Sequence, residues 1–206
     1  MPSPVAAGRV SPHTFAMKRQ INSLVRRGLL AVAAMAVLAG PALADQNDER
    51  LDELFVQLHE TKSAYQAHVL EHTIWQIWHV SDMAGTNILM EQGVNAMGAG
   101  DYDTALAKFE AVVELEPDFA EGWNKRATVH YLMGNFAQSI EDVKKTLSLE
   151  PRHFGALSGL GLIYDSLDDL EAAKAAFERA LEANPHMDPI RTRLDEIVKE
   201  LENRQI

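Results

Sequence analysis

The sequence predicts an all-α, right-handed α-solenoid in which three stacked helix–turn–helix units follow a helical hairpin and end under a capping helix. Three observations predict it. Pro117, Pro151 and Pro185 lie 34 residues apart, and a fixed period of this size marks stacked supersecondary units, each a pair of helices. Segments laid over one another from Thr86, Ala120 and Phe154 agree at further positions. The fourth holds Leu89, Trp123 and Leu157, the fifteenth Gly100, Gly134 and Asp168, the twentieth Ala105, Ser139 and Ala173, and the twenty-fourth Phe109, Val143 and Phe177. Finally, the stretch after the last proline is amphipathic at helical spacing, as the outer cap of a stacked array must be.

Residues 1–44 contain Arg9, Lys18, Arg19, Arg26 and Arg27 but no acid, then the apolar run GLLAVAAMAVLAG and Pro41-Ala42-Leu43-Ala44. A basic region, a short apolar core and an Ala-x-Ala exit predict a secretory signal peptide cleaved after Ala44, and a periplasmic or secreted product. The run is shorter than the roughly 20 residues of a spanning helix, so no membrane anchor is expected after cleavage. The remainder keeps all 30 acidic residues and 14 of the 19 basic ones, a net charge of −16. Such a surface repels nucleic acid and favours a basic partner. The absence of cysteine excludes disulfides, thiol catalysis and cysteine–zinc sites.

Residues 45–85 read as an irregular N-terminal hairpin. Leu51, Leu54, Phe55 and Leu58 share one helix face, and Thr61 or Ser63 is placed to cap a second helix. Ala67, Leu70, Ile74, Ile77 and Trp78 form the apolar stripe of that second helix. Opposite the stripe stand His68, His72, Trp75 and His79. His68 and His72 are spaced i,i+4, as two ligands of one metal would be, but His79 lies a further 10 Å or so along the helix. The face is read as packing, with Trp75 and Trp78 docked on the first repeat, and a metal or haem role is kept as the alternative.

The three units span 86–119, 120–153 and 154–187. Each proline stops a second helix because it lacks a backbone donor and restricts the residue before it. Asp101 and Asp103 are placed to cap the second helix of the first unit, where Leu106, Phe109, Val113 and Leu115 face inward. Trp123 is expected between the two helices of the second unit. Gly155, Gly159 and Gly161 share one helix and read as close helix approach, since GALSGLG neither follows a strand nor carries a phosphate-loop lysine. Residues 188–206 form the cap, with Ile190, Leu194, Ile197, Val198 and Leu201 on its apolar stripe and a charged opposite face.

The third unit, with Leu157, Leu160-Gly161, Tyr164, Ala173, Phe177, Ala180 and Pro185, resembles a tetratricopeptide repeat. The first keeps Leu89, Gly93, Ala105, Phe109 and Pro117. The second keeps Trp123 and Pro151 but has Arg126-Ala127 where Leu-Gly is usual. The chain also resembles small exported bacterial proteins of this kind. The resemblance implies that positions two, five, nine and twelve of each first helix face a binding groove. In the first unit these are Asn87, Met90, Val94 and Met97, and in the second Glu121, Asn124, Thr128 and Tyr131 with Lys125 beside them. In the third they are Gly155, Ser158, Leu162 and Asp165. The Lys/Asn clamp by which cytosolic relatives hold a terminal carboxylate is missing, because Met90, Val94 and Gly159 stand in its places.

Neither a Ser/His/Asp signature nor a paired-carboxylate catalytic motif is present, so no catalytic residue, metal or cofactor is expected. The function predicted is a protein-interaction scaffold of the cell envelope that takes a protein or peptide segment, with self-association through the groove as the alternative.

Overall fold

The structure, a computed structural model, describes residues 45–204, and the residues read as a signal peptide lie outside it. Among the described residues there are nine helices and no strand. The hairpin is α1 (Arg50–Glu60) and α2 (Ala64–Trp78). The repeats are α3 (Ala84–Gly98) with α4 (Tyr102–Leu115), α5 (Ala120–Leu132) with α6 (Phe136–Leu149), and α7 (Phe154–Ser166) with α8 (Leu170–Ala183). The cap is α9 (Asp188–Arg204). No helix of the described residues is long and apolar enough to cross a membrane.

The period is written into the backbone. The residues before the three prolines, Glu116, Glu150 and Asn184, are extended, with φ between −134° and −140°, as a following proline requires. The turn inside each repeat has its left-handed residue at Gly100, Gly134 and Asp168, with φ of 77°, 74° and 59°. Asp168 carries a side chain where the other two do not, and Arg204 of the cap holds its carboxylate with two hydrogen bonds, at 2.6 and 3.2 Å. Asp101 and Asp169 cap α4 and α8 by accepting the N–H of Thr104 and Ala172.

Within each repeat the two helices meet at the twenty-fourth position. Phe109 and Phe177 are fully buried and lie against Gly93 and Gly161, where any side chain would collide with the ring. That is the close approach expected of Gly161. In the first repeat Val112 is buried while Leu115, expected inside, is half in solvent. Trp123 is half-buried rather than enclosed: its indole N–H donates to the Pro117 carbonyl at 2.9 Å, and the cations of Arg126 and Lys145 lie over its ring. The cap covers repeat three through Ile190, Leu194, Ile197 and Leu201, packed on Tyr164, Leu170, Ala173 and Phe177.

The hairpin does not dock on the first repeat. Its stripe of Leu51, Phe55, Leu58, Ala67, Leu70, Ile74, Ile77 and Trp78 shares one core with Phe154, Leu157, Ala180 and Ala183 of repeat three. The reason lies in α1, which is laid along the loops that link successive units. Gln46 donates to the Asp118 carbonyl and accepts the N–H of Ala120, Asp52 binds Arg152 at 2.6 Å, and the Leu58 carbonyl meets the His186 ring at 2.9 Å. Asp118, Arg152 and His186 are themselves 34 residues apart. The hairpin is a strap along one edge of the array, in register with its period. Helix α5 has no side-chain cap of its own, and Gln46 supplies one from that strap.

Candidate functional site

The first helices α3, α5 and α7 lie side by side, and α2 returns across their N-terminal turns. Together with the segment that follows it, His79–Met83, it meets position two of all three. The Asn87 amide holds the Ser81 backbone at both ends, accepting its N–H at 2.9 Å and donating to its carbonyl at 2.7 Å. Glu121 faces His79 at 3.2 Å. Gly155 lies under the Trp75 ring, so close that a Cβ there would sit 2.5 Å from it. One strip of the expected groove is therefore already filled by the protein's own N-terminal segment.

Glu121 is the centre of the filled strip. It is 1% exposed and buried against four polar neighbours. Oε2 accepts from Asn124 Nδ2 at 2.8 Å and from His153 Nε2 at 3.0 Å. Oε1 faces Lys125 Nζ at 3.0 Å and His79 Nε2 at 3.2 Å, at angles outside hydrogen-bond geometry, so these are contacts between charges. Burial pushes the Glu121 carboxyl up, but the Lys125 ammonium, the bond from His153 and the charge on His79 outweigh it and hold it at about 2. His153 accepts the N–H of Ala156 at Nδ1, which caps α7 and places the ring proton on the nitrogen facing Glu121. Trp78 stacks on that ring, 4.2 Å between centroids.

Further along the same helices the groove is open. Between repeats two and three it holds a cavity of about 280 Å³, floored by Ala127, Ser139, Val143, Ala156, Gly159 and Ile163. Its rim is Asn124, Thr128, Tyr131, Leu132, Gly155, Ser158 and Leu162. Gly159 faces open space, with nothing within 4 Å of where a Cβ would stand. The cavity is smaller than the roughly 300–1,000 Å³ of sites that enclose a whole small molecule. It suits one or two side chains of a longer segment.

The structure thus brings together Asn124, Thr128, Tyr131, Gly155, Ser158 and Leu162 of the sequence-predicted set, Gly155 also lying under Trp75, and separates the rest. Met90 is not on the groove surface: it is 4% exposed and packs with Phe109 of its own repeat and Val129 of repeat two. Met97 packs half-buried against the same core, and Val94 stays exposed. Asn87, Glu121 and Lys125 are covered or engaged by the hairpin segment, Lys125 lying over Trp75 at 5.7 Å. Asp165 is held by Arg193 of the cap at 2.7 and 2.8 Å, which removes it as a free charge. His68 and His72 are exposed, while His79 is turned to Glu121 and to the Trp75 carbonyl.

The architecture defines a helical-repeat protein with a partly occupied groove. Tetratricopeptide repeat patterns match residues 90–132 and 155–187. A tetratricopeptide repeat-containing protein of Rhizobium etli is 36% identical over 137 residues, 66% of this chain and 67% of that protein. Tetratricopeptide repeat protein 36 of Mus musculus is 37% identical over 95 residues, and the chain spans half of its length. Among solved structures, the first such domain of Spaghetti (RPAP3), bound to the HSP90 peptide SRMEEVD, superposes with a TM-score of 0.56 at 27% identity. The match covers 60% of this chain and 97% of that one. The MamA protein gives 0.52 at 25% identity, covering 57% and 64%. The chain belongs to the tetratricopeptide repeat family.

Proposed function

We propose that this protein is a non-enzymatic interaction scaffold of the cell envelope that holds an extended segment of a protein partner in the groove between repeats two and three. The observation that carries the reading is the open cavity over Gly159, beside a strip of the same helices that the protein's own N-terminal segment covers. Its likeness to a domain solved with a bound peptide supports the same use of the surface. Export is supported by the basic region, apolar run and Ala-x-Ala exit of residues 1–44. It is tested by the mass of the protein recovered from the envelope, which should begin at Asp45.

Binding is tested by filling the cavity. Gly159→Leu adds a side chain into open space on a helix that favours leucine over glycine, so the fold should persist. A random dodecapeptide display pool panned on the parent should enrich binders, and Gly159→Leu should abolish the enrichment with no fall in melting temperature. Enrichment that survived the substitution would place the site elsewhere.

A further inference from the structure

The buried Glu121 does more than hold the hairpin. Its Oε2 accepts from Asn124 Nδ2 at 2.8 Å, and a carboxylate only accepts, so the Asn124 amide can point one way. Its nitrogen faces inward, and its oxygen is left to the cavity that Asn124 lines. Asn124 is 7% exposed, so this orientation is fixed by packing as well as by the bond. On the other side of the carboxylate, Lys125 lies 3.0 Å from Oε1 and over the Trp75 ring, so its charge is compensated before any ligand arrives. At the far end of the groove Asp165 is paired with Arg193.

The rim of the cavity is therefore uncharged, and its fixed polar atom is an acceptor. An acidic side chain or a terminal carboxylate would bring oxygen against oxygen, with no free cation on the rim to offset it. The net charge of −16 over residues 45–206 repels the same ligand at longer range. A backbone N–H, a hydroxyl or a cationic side chain meets complementary polarity instead.

Resting on the groove proposed for binding, we propose that this site selects an internal, neutral-to-basic peptide segment that sets one apolar side chain over Gly159 and a donor against Asn124 Oδ1. Glu121 is the positioning residue that imposes this choice, by orienting Asn124 and cancelling Lys125. The site thus has the opposite polarity to one that would receive an acidic peptide such as SRMEEVD, the HSP90 peptide bound by the similar domain of Spaghetti.

The test uses the dodecapeptides enriched on the parent protein, together with SRMEEVD carrying a free carboxylate and the same peptide amidated, all read by fluorescence anisotropy. The enriched set should be poor in Asp and Glu and indifferent to a blocked carboxyl terminus. SRMEEVD should bind the parent at least about a hundredfold more weakly. Glu121→Gln leaves Lys125 uncompensated and should gain about tenfold in affinity for free-acid SRMEEVD over the parent, a gain that loss of structure cannot produce. Enriched peptides that are acidic, or that need a free carboxylate, overturn this inference while leaving the groove reading intact. SRMEEVD bound as tightly as the enriched set does the same. Should Glu121→Gln not fold, the parent series decides alone. A pool that yields no binder, or binders untouched by Gly159→Leu, overturns the groove reading and this inference with it.

Discussion

The first helices of the array carry two parallel strips that share the same backbone and differ in what covers them. The strip at position two is covered: Trp75 and His79 lie on Gly155 and Glu121, and Ser81 of the segment that follows α2 holds Asn87. The strip one turn on, with Asn124, Thr128, Ser158, Gly159 and Leu162, is open. The repeat period sets the direction in which a side chain points, but a partner outside the repeat sets whether it meets solvent. The same reasoning explains why repeat three, under both the apolar stripe of the strap and the cap, shares in three apolar clusters, while repeat one, reached by the strap only through polar contacts of Gln46 and Ser81, leaves Ile88 and Leu115 about half exposed.

The largest effect should fall in the covered strip. Trp78 is 1% exposed, stacked on His153 and within 5.9 Å of the Phe55 and Phe154 rings. Trp78→Ala removes the piece that joins the strap to repeat three, and should cost about 3–5 kcal/mol in urea unfolding. Val94→Ala, on an exposed position of repeat one, should stay within about 0.5 kcal/mol. Comparable losses at the two sites would erase the distinction between the strips.

Glu121 stands where the strips meet, and its effect is read with pH. Its carboxyl is held at about 2, below the ordinary 4.5. A group with a depressed folded value adds stability that is complete above the unfolded value and disappears as pH falls through the folded one. The parent should therefore lose on the order of 3 kcal/mol between about pH 4.5 and pH 2 from this group. Glu121→Gln should be less stable at pH 7 and show a shallower fall across that window. Parallel acid-unfolding curves for the two proteins would mean that the four neighbours do not favour the ionised form.

Much of this was legible in the sequence. The period fixed the repeats and their turns, and the Ala67–Leu70–Ile74–Ile77–Trp78 stripe is buried as its spacing predicts. The residues of the open rim follow from position within the repeat. What could not be read is which surface the stripe meets. Trp75 and Gly155 are 80 residues apart, and no local pattern links a glycine at position two to a tryptophan that needs the space. A signal did exist: Glu121 is acidic in a helix that also carries Lys125, and His153 stands just before a helix that lacks Ser, Thr or Asp at its cap. Each is ordinary alone, and only the fold makes them one cluster. Met90 shows the same limit: position five of repeat one lies against Val129 of repeat two, a contact between units that no local pattern reveals.

The smallest effects make the sharpest contrast, because they change the same residue type one helical turn apart. Gly155 and Gly159 both lie within α7. Neither has a backbone conformation that needs glycine, since positive φ among the described glycines is confined to Gly100 and Gly134. Replacing either with alanine should gain about 0.5–1 kcal/mol from helix propensity alone. At Gly159 nothing opposes that gain, because the new methyl enters open space, so Gly159→Ala should raise stability by about that amount. At Gly155 the methyl would stand 2.5 Å from the Trp75 ring. The ring cannot step aside cheaply, with Trp78, His153 and Phe154 all within 5.5 Å of its centre. Overpacking there should cost about 1–3 kcal/mol and outweigh the propensity gain. Two Gly→Ala substitutions in one helix should thus shift the melting temperature in opposite directions. If both raised it, Trp75 would not be seated on Gly155, and the covered strip would be as open as its neighbour.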